Sequence, residues 1–409
     1  MKSTGSPTPA APSAAPDVEL VPRLKNQGYA SDQVAARRRW LEEKTGCRLP
    51  HVGAASIPTE AMRGNIENPI GAAQVPLAVA GPLAVRGEHA DGTFYVPLAT
   101  TEGALVRSYE RGMVAITRAG GAEVRLWADE NRVSPAFLLP DVAAARDFAR
   151  RVEESFEDLR RAAEATTAYG RLLRVECLPV GREVIVSFSY STGDAHGMNM
   201  IVKATEAACR YLRERLDGPP YLLFSGHESE KRASGSLLAG GKGKKATAGV
   251  RLPAALVKSV LHTSPEAMAD LGRHTTLGHL QAGALGCNGH YANGLTALFI
   301  ACGQDVANVV NSAVGITHFE VTGDGDLYAS VTLPSLTVAS VGGGTALGTA
   351  RECLEVLGCH GPGHARKLAE ITAATLLAGE LSFGAALASG EFVAAHEQYG
   401  RNRPEPPRS

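Results

Sequence analysis

Acids and bases alternate in one short stretch of this chain, in an order that can shift pKa values and hold a proton donor in place. Ser225, Gly226, His227, Glu228, Ser229, Glu230, Lys231 and Arg232 follow the apolar run Tyr221, Leu222, Leu223 and Phe224 without a spacer. The run is short enough for a buried strand, so charge leaves directly from the core. A lysine on such a loop has carboxylates as near neighbours, the usual setting for a perturbed, positioned ammonium. Gly235, Gly240, Gly241 and Gly243 then interleave with Lys242, Lys244 and Lys245 and read as a glycine-lysine loop. Taken alone, a solvated surface loop accounts for the pattern equally well.

Other residues carry chemistry at a distance along the chain. Asp305 stands in Gly303-Gln304-Asp305, inside an apolar run that reads as one long helix from His290 to Val310. A carboxylate there is costly to bury without a cationic or hydrogen-bonding partner. Glu102, in Ala99-Thr100-Thr101-Glu102-Gly103, falls in the first turn of a helix that Thr100 or Thr101 can cap. Asp194-Ala195-His196-Gly197-Met198-Asn199-Met200 opens a second helix, where glycine and free N–H groups suit a phosphate and Asp194 suits either a ribose hydroxyl or an ordinary N-cap. Gly342-Gly343-Gly344 is another glycine loop at a helix start, but Leu347 breaks the G-x-G-x-x-G spacing, and 235–245 fails the P-loop spacing. Neither a Rossmann nor a P-loop domain is supported.

The 409 residues, 44% of them hydrophobic, can fill more than one core, and the net charge of -1 provides no global field for nucleic acid. Seven cysteines without C-x-x-C pairing read as reduced thiols rather than a zinc site. No run of 18 apolar residues and no signal-peptide pattern appears, which points to a cytoplasmic protein without a membrane segment.

The elements that must position these groups follow from periodicity. Residues 1–17 read as a disordered leader and 32–43 as a short helix. A hairpin turning at Asp91-Gly92 leads to the Glu102 helix. From 136 to 224 the signals run strand, helix (142–165), strand (172–178), strand (183–191), helix (197–216), strand (221–224). That βαββαβ order is the ferredoxin-like unit, with more chain on both sides of it. Helices at 252–261 and 265–271, a small-residue stretch at 273–289, a hairpin at 317–333 and a helix at 365–387 complete the chain. The fold class is α+β. The expected domains are a large one formed by 18–133 and 224–399, an insert at 134–223, and a tail at 400–409.

Taken together, the motifs Glu67-Asn68-x-Ile70-Gly71, Val79-Ala80-Gly81-Pro82-Leu83, Ala99 to Gly103, Asp194 to Met200, Gly303 to Asp305 and Val341 to Thr345, with His396 near the C-terminus, resemble hydroxymethylglutaryl-CoA reductase from about residue 20 to 401. The Gly-Met-Asn-Met form resembles the class I enzymes of eukaryotes and archaea, without the membrane segments of the eukaryotic ones. The resemblance implies a large domain for the CoA thioester and a ferredoxin-like insert for NADPH. It also implies a homo-oligomer, a dimer or higher, whose sites form between subunits, and a four-electron reduction of the thioester to mevalonate and CoA. No metal is implied.

The resemblance assigns roles residue by residue. Lys231 stabilises the thioester oxygen as it becomes an alkoxide, Asp305 pairs with Lys231, and Glu102 protonates the aldehyde oxygen, a task that needs a raised carboxyl pKa. His396 protonates the departing thiolate. Arg132 and Ser225 clamp the free carboxylate of the acyl group, and His290 and Asn293 line the same pocket. Asp194, Gly197, Met198, Asn199, Met200, Gly342, Gly343 and Gly344 fall to the cofactor, with Arg401 at its 2′-phosphate. The chain departs from the family pattern at Glu230, Arg232, Arg273 and Ala168, where Asp, Lys, Lys and Arg are common. Arg232 and Arg273 still fall to the substrate, and they keep open a relative acting on another acyl-CoA. A non-catalytic CoA- or nucleotide-binding regulator on the same fold is the third reading.

Overall fold

The computed structural model describes residues 19–23, 28–393 and 397. The expected leader at 1–17, His396, Arg401 and the tail at 400–409 lie outside them. The chain divides into two units between Gln74 and Val75. In the first, the helix Ser31–Thr45 ends at Gly46, whose φ of 70° closes it in the left-handed region. Arg37 is buried in this unit and donates to the carbonyls of Gly28 and Pro69. The motif glycine Gly71 has a φ of 148°, and a Cβ there would stand 1.9 Å from the Val52 carbonyl oxygen. Glycine is therefore required where this segment crosses Val52.

The second unit is α+β, built on ten strands: β1 Leu77–Arg86, β2 Asp91–Ala99, β3 Ala122–Val133, β4 Ala136–Leu138, β5 Arg171–Val180, β6 Glu183–Ser191, β7 Tyr221–Leu222, β8 Gly243–Leu252, β9 Ile316–Val321 and β10 Leu327–Leu336. The path runs β7-β4-β6-β3-β8-β10-β9, with β1 between β2 and β3 and β5 beside β6. The β1–β2 turn lies at 87–90 rather than at Asp91-Gly92, because Arg86 pairs with Asp91. What holds it there is distant in sequence: the buried Glu370 carboxylate accepts the N–H groups of Glu88, His89 and Ala90. Glu370 belongs to the helix Ala365–Ser389. That helix is long and apolar enough to cross a membrane, yet 83% of its apolar window is buried within the protein. It is the axis of the larger core. Gly112 of the helix Leu105–Arg118 lies against it so closely that a Cβ would come within 1.8 Å of the Ala378 oxygen.

A second core holds Phe137, Phe148, Val152, Leu159, Val186, Phe188, Ile201 and Leu212. Here the strands lie in the order β7-β4-β6-β5, covered by helices at Val142–Glu154, Phe156–Glu164 and Met198–Arg215. The expected single helix at 142–165 is broken at Ser155. The strand at 221–224 shrinks to two residues, with Leu222 and Phe224 exposed. The sharpest departure is β8. Only the first part of the segment read as a glycine-lysine loop stays out of the sheet, Gly235–Ala239 forming a 3₁₀ turn; from Gly243 the chain enters a central strand between β3 and β10, because the alternate positions Lys244, Ala246, Ala248 and Val250 face inward. Lys244 is tolerated there by an ion pair with Asp129 at 3.1 Å. All seven cysteines are unpaired, and burial pushes the thiols of Cys177 and Cys359 up to about 12.

Candidate active site

The loop leaving β7 is built to present Lys231. Ser225 N–H donates to the Ser134 carbonyl, anchoring the loop to the β3–β4 connection, and Gly226 N–H donates to the buried Glu228 carboxylate. Ser229 and Lys231 then take left-handed φ angles of 54° and 53°, a conformation that side-chain-bearing residues adopt at a cost. The Lys231 ammonium lies 2.7 Å from Asp305 Oδ2. The hydrogen bond to Asp305 raises the lysine above its ordinary value, outweighing partial burial, and the charges of Asp305 and Glu230 add to it.

Asp305 is not the buried mid-helix carboxylate that its setting predicts. The helix Tyr291–Ala301 stops early, and Gly303 turns the chain with a φ of 62°. Asp305 is exposed and begins a short 3₁₀ turn, its carboxylate accepting Ala307 N–H. The turn is held from behind. Gln304 exchanges hydrogen bonds with the main chain of Ala339, and a Cβ on Gly303 would lie 2.5 Å from the Gly344 oxygen. The Gly303-Gln304-Asp305 and Gly342-Gly343-Gly344 motifs are thus two sides of one close backbone contact.

A cavity of about 680 Å3 opens elsewhere in the same unit, lined by Glu102, His290, Asn293, Ser108, Arg111 and Phe383 among others. Its volume suits a small-molecule ligand. Glu102 precedes the first turn of its helix, which begins at Leu105 after a left-handed Ala104. Both Glu102 carboxylate oxygens accept from Asn293 Nδ2, at 3.1 and 3.0 Å. His290 stacks between Tyr109 and Phe383, with ring centroids 5.4 and 4.9 Å away, and its Nδ1 lies 2.9 Å from Glu380. Glu380, buried in the helix Ala365–Ser389, also accepts the N–H groups of Gly289 and His290 and the Thr317 hydroxyl. Burial alone would raise its pKa. The hydrogen bond and charge of His290, with Gly289 N–H and Thr317, bring it below the ordinary carboxylate value. Burial, together with the charges of Glu380 and Glu102, pushes the Tyr109 phenol upward, which keeps it protonated.

Several cavity residues escaped the sequence reading. Arg111 donates to the Ser382 hydroxyl and carbonyl and pairs with Glu391 at 3.4 Å, and burial lowers its pKa. Glu380 did carry a signal: it is an acid inside an apolar helix, the feature that had drawn attention to Asp305.

The remaining predicted residues scatter into three settings. Arg132, at the end of β3, is buried and donates to Ser236, and Ser225 Oγ accepts His227 N–H. Arg232 is exposed beside Glu228, and Arg273 pairs with Asp270 on the surface of the helix Pro265–Ala282. Asp194 does not cap its own helix. Its carboxylate accepts Gly363 N–H at 2.7 Å and Ala365 N–H at 3.1 Å, at the start of the last helix. Burial opposes ionisation there, but these N–H groups and Lys244 hold its pKa below the ordinary value. The helix Met198–Arg215 therefore begins at Gly197, with a φ of 74° and no side-chain cap, and a Cβ at Gly197 would strike Thr192. Its first N–H groups are open to an anion. Neither Lys231 nor Asp305 lies among the described residues lining the cavity. Glu88, His89 and Glu370 bring three ligand atoms within 4.8 Å, but the Glu370 oxygens are already engaged by main-chain N–H groups.

Residues 33–401 match the family model of hydroxymethylglutaryl-coenzyme A reductase. The chain is 45% identical over 374 residues to the 3-hydroxy-3-methylglutaryl-coenzyme A reductase of Methanothermobacter thermautotrophicus, covering 90% of this chain and 94% of that one. The corresponding protein of Methanocaldococcus jannaschii is 44% identical, covering 89% and 92%, and that of Xenopus laevis is 38% identical, covering 90% of this chain and 43% of that longer one. In fold, the chain resembles the class II reductase of Streptococcus pneumoniae bound to NADPH, with a TM-score of 0.68, 20% identity, and coverage of 87% and 97%.

Proposed function

The chain belongs to the hydroxymethylglutaryl-coenzyme A reductase family, and from that premise we propose that it reduces 3-hydroxy-3-methylglutaryl-CoA to mevalonate and CoA with NADPH. The observation that carries the mechanism is the Lys231–Asp305 pair, 2.7 Å apart, with Lys231 held in left-handed backbone on its loop. Bound NADPH supplies hydride, twice over the four-electron reduction. Lys231, kept cationic by Asp305, donates a hydrogen bond to the thioester oxygen as negative charge develops on it. Glu102, oriented by Asn293, donates a proton to the aldehyde oxygen in the second half of the reaction. His396 protonates the thiolate as it leaves.

We further assign 134–223 as a ferredoxin-like insert for the cofactor, with the uncapped start of the helix Met198–Arg215 facing the pyrophosphate and Arg401 the 2′-phosphate. Met198, Asn199, Met200 and the Gly342-Gly343-Gly344 loop line its path. Residues 18–133 and 224–399 take the CoA thioester, with Arg132 and Ser225 on the acyl carboxylate. Lys231 stands outside the cavity that holds Glu102, His290 and Asn293, which supports a homo-oligomer whose site is completed by a second copy of the chain. The protein is assigned to the cytoplasm.

The test is NADPH oxidation by the wild type and Lys231→Ala with hydroxymethylglutaryl-CoA, and with acyl-CoA analogues to probe Arg232 and Arg273. Loss of one oxyanion donor is expected to lower kcat by roughly 10²–10³. Near-normal turnover of the variant would remove Lys231 from its role. Wild-type oxidation only with another acyl-CoA would transfer the reading to that substrate.

A further inference from the structure

One charged cluster is left unused by the roles above. Glu230 directly precedes Lys231, yet its side chain is engaged elsewhere. One carboxylate oxygen bonds the Lys242 ammonium, and the other lies 3.6 Å from His196 Nε2. Lys242 has no exposed surface, and its Nζ lies 3.1 Å from Met198 Sδ. His196 is itself fastened, since its carbonyl accepts Asn131 Nδ2 of β3 at 2.9 Å. The cluster therefore joins the lysine loop, the residue leading into β8, and the start of the helix Met198–Arg215. Burial works against the Glu230 charge, but His196 and Lys242 outweigh it and hold the carboxyl at about 2.

Two features make this arrangement matter for the lysine. Ser229 and Lys231 flank Glu230 in left-handed backbone, which persists only where neighbouring contacts hold it. Ser229 is held by the Ser234 hydroxyl at 2.7 Å, and Glu230 by the buried ammonium. A glutamate beside a lysine is also a rival for its charge. Glu230 directs its carboxylate to Lys242 and His196, while Lys231 pairs with Asp305.

We propose that Glu230, gripped by Lys242 and His196, is a positioning residue that sets Lys231 against Asp305 and fastens its loop to the start of the cofactor helix. The inference rests on Lys231 being the catalytic lysine of the proposed function.

The test compares Glu230→Gln, His196→Gln and the double variant in the full chain. It measures kcat, KM for hydroxymethylglutaryl-CoA, NADPH affinity and thermal midpoint, with Lys231→Ala alongside. We expect Glu230→Gln to lower kcat at least tenfold, with KM and NADPH affinity within threefold of wild type. His196→Gln should lower kcat about three- to tenfold, and the double variant should be no slower than Glu230→Gln, because the clamp is already open. His196 is partly exposed, so its variant carries the test even if Glu230→Gln fails to fold. A rise in KM at unchanged kcat would make Glu230 a substrate contact and overturn the proposal, as would multiplying losses in the double variant or wild-type kcat in both single variants. If Lys231→Ala keeps normal turnover, the proposed function fails first and this inference with it. If Lys231→Ala is inactive while Glu230→Gln and His196→Gln are normal, the positioning role alone fails.

Discussion

Lys231 and Asp305 are each more than two-fifths exposed, so their ion pair contributes little to stability and acts mainly through charge and direction. Asp305 raises the Lys231 pKa, chiefly through its hydrogen bond. The lysine therefore stays cationic to higher pH than a free one, and the alkaline limb of kcat/KM should lie correspondingly high. Asp305→Asn removes that support, so the limb is expected to move to lower pH. A pH profile of kcat/KM with an unmoved alkaline limb would show that the titrating group is not Lys231. For Lys231→Ala the thermal midpoint should stay near wild type while turnover falls, because the side chain fills no core. Lys231, Asp305 and Glu102 drew attention as residues, whereas Asn293 and His290 came only through the family resemblance; the contacts pair Lys231 with Asp305 and Glu102 with Asn293. The expectation that Asp305 needs a cationic partner held, since Lys231 pairs with it, but its burial inside a helix did not. Asp305 escapes the helix through Gly303, whereas Glu370 and Glu380 lie buried inside the helix Ala365–Ser389.

At the scale of elements, that last helix ties the second unit together. Through Glu380 it fixes the His290 ring and the Gly289 backbone at the cavity wall, and through Glu370 it closes the β1–β2 turn. The folded pKa of Glu380 is depressed, so its contribution to stability is complete above the carboxyl value of the unfolded chain and is lost as pH falls through the lower folded value. Glu380→Gln is expected to cost roughly 3 to 5 kcal/mol near neutrality, the scale of a broken buried charge pair. The difference from wild type should shrink as acid protonates Glu380 in the native protein. Urea unfolding across the acid range checks this, and a difference that does not change with pH would exclude a charged Glu380. Gly112→Ala tests the packing of the neighbouring helix. Its Cβ would meet main chain rather than a movable side chain, so a loss of about 3 kcal/mol is expected, at the upper end of overpacking. An unchanged unfolding midpoint would mean that the two helices can separate at little cost.

For the whole molecule, the expected division of the site between subunits has a direct measurement. Lys231→Ala and Glu102→Gln should each be nearly inactive. If Lys231 of one protomer serves the cavity of its partner, unfolding and refolding the two variants together should create assemblies with one intact site. Recovered activity, on the order of a quarter of wild type for randomly mixed dimers, is the expected outcome. No recovery, with sedimentation showing that mixed oligomers have formed, would place both groups in one chain. The two cores of the second unit share a continuous sheet path, because β3 pairs with β6 at Asn131–Val133.

The sequence by itself determined what depends on local order: the α+β class, the βαββαβ succession and the glycine-marked helix start at Gly197. Periodicity and turn residues are properties of neighbours in the chain, so they survive without a structure. Tertiary structure decided what depends on distant partners. Lys242 and Lys244 look solvated in sequence, and only the acids Glu230 and Asp129 make their burial possible. Asp194 reads as the cap of the helix that follows it, but the N–H groups that reach it come from Gly363 and Ala365. The β1–β2 turn lies where Glu370, some 280 positions away, accepts its N–H groups. In each case a buried charge or an unpaired backbone group is satisfied by a residue remote in sequence, and no pattern of neighbours encodes which one.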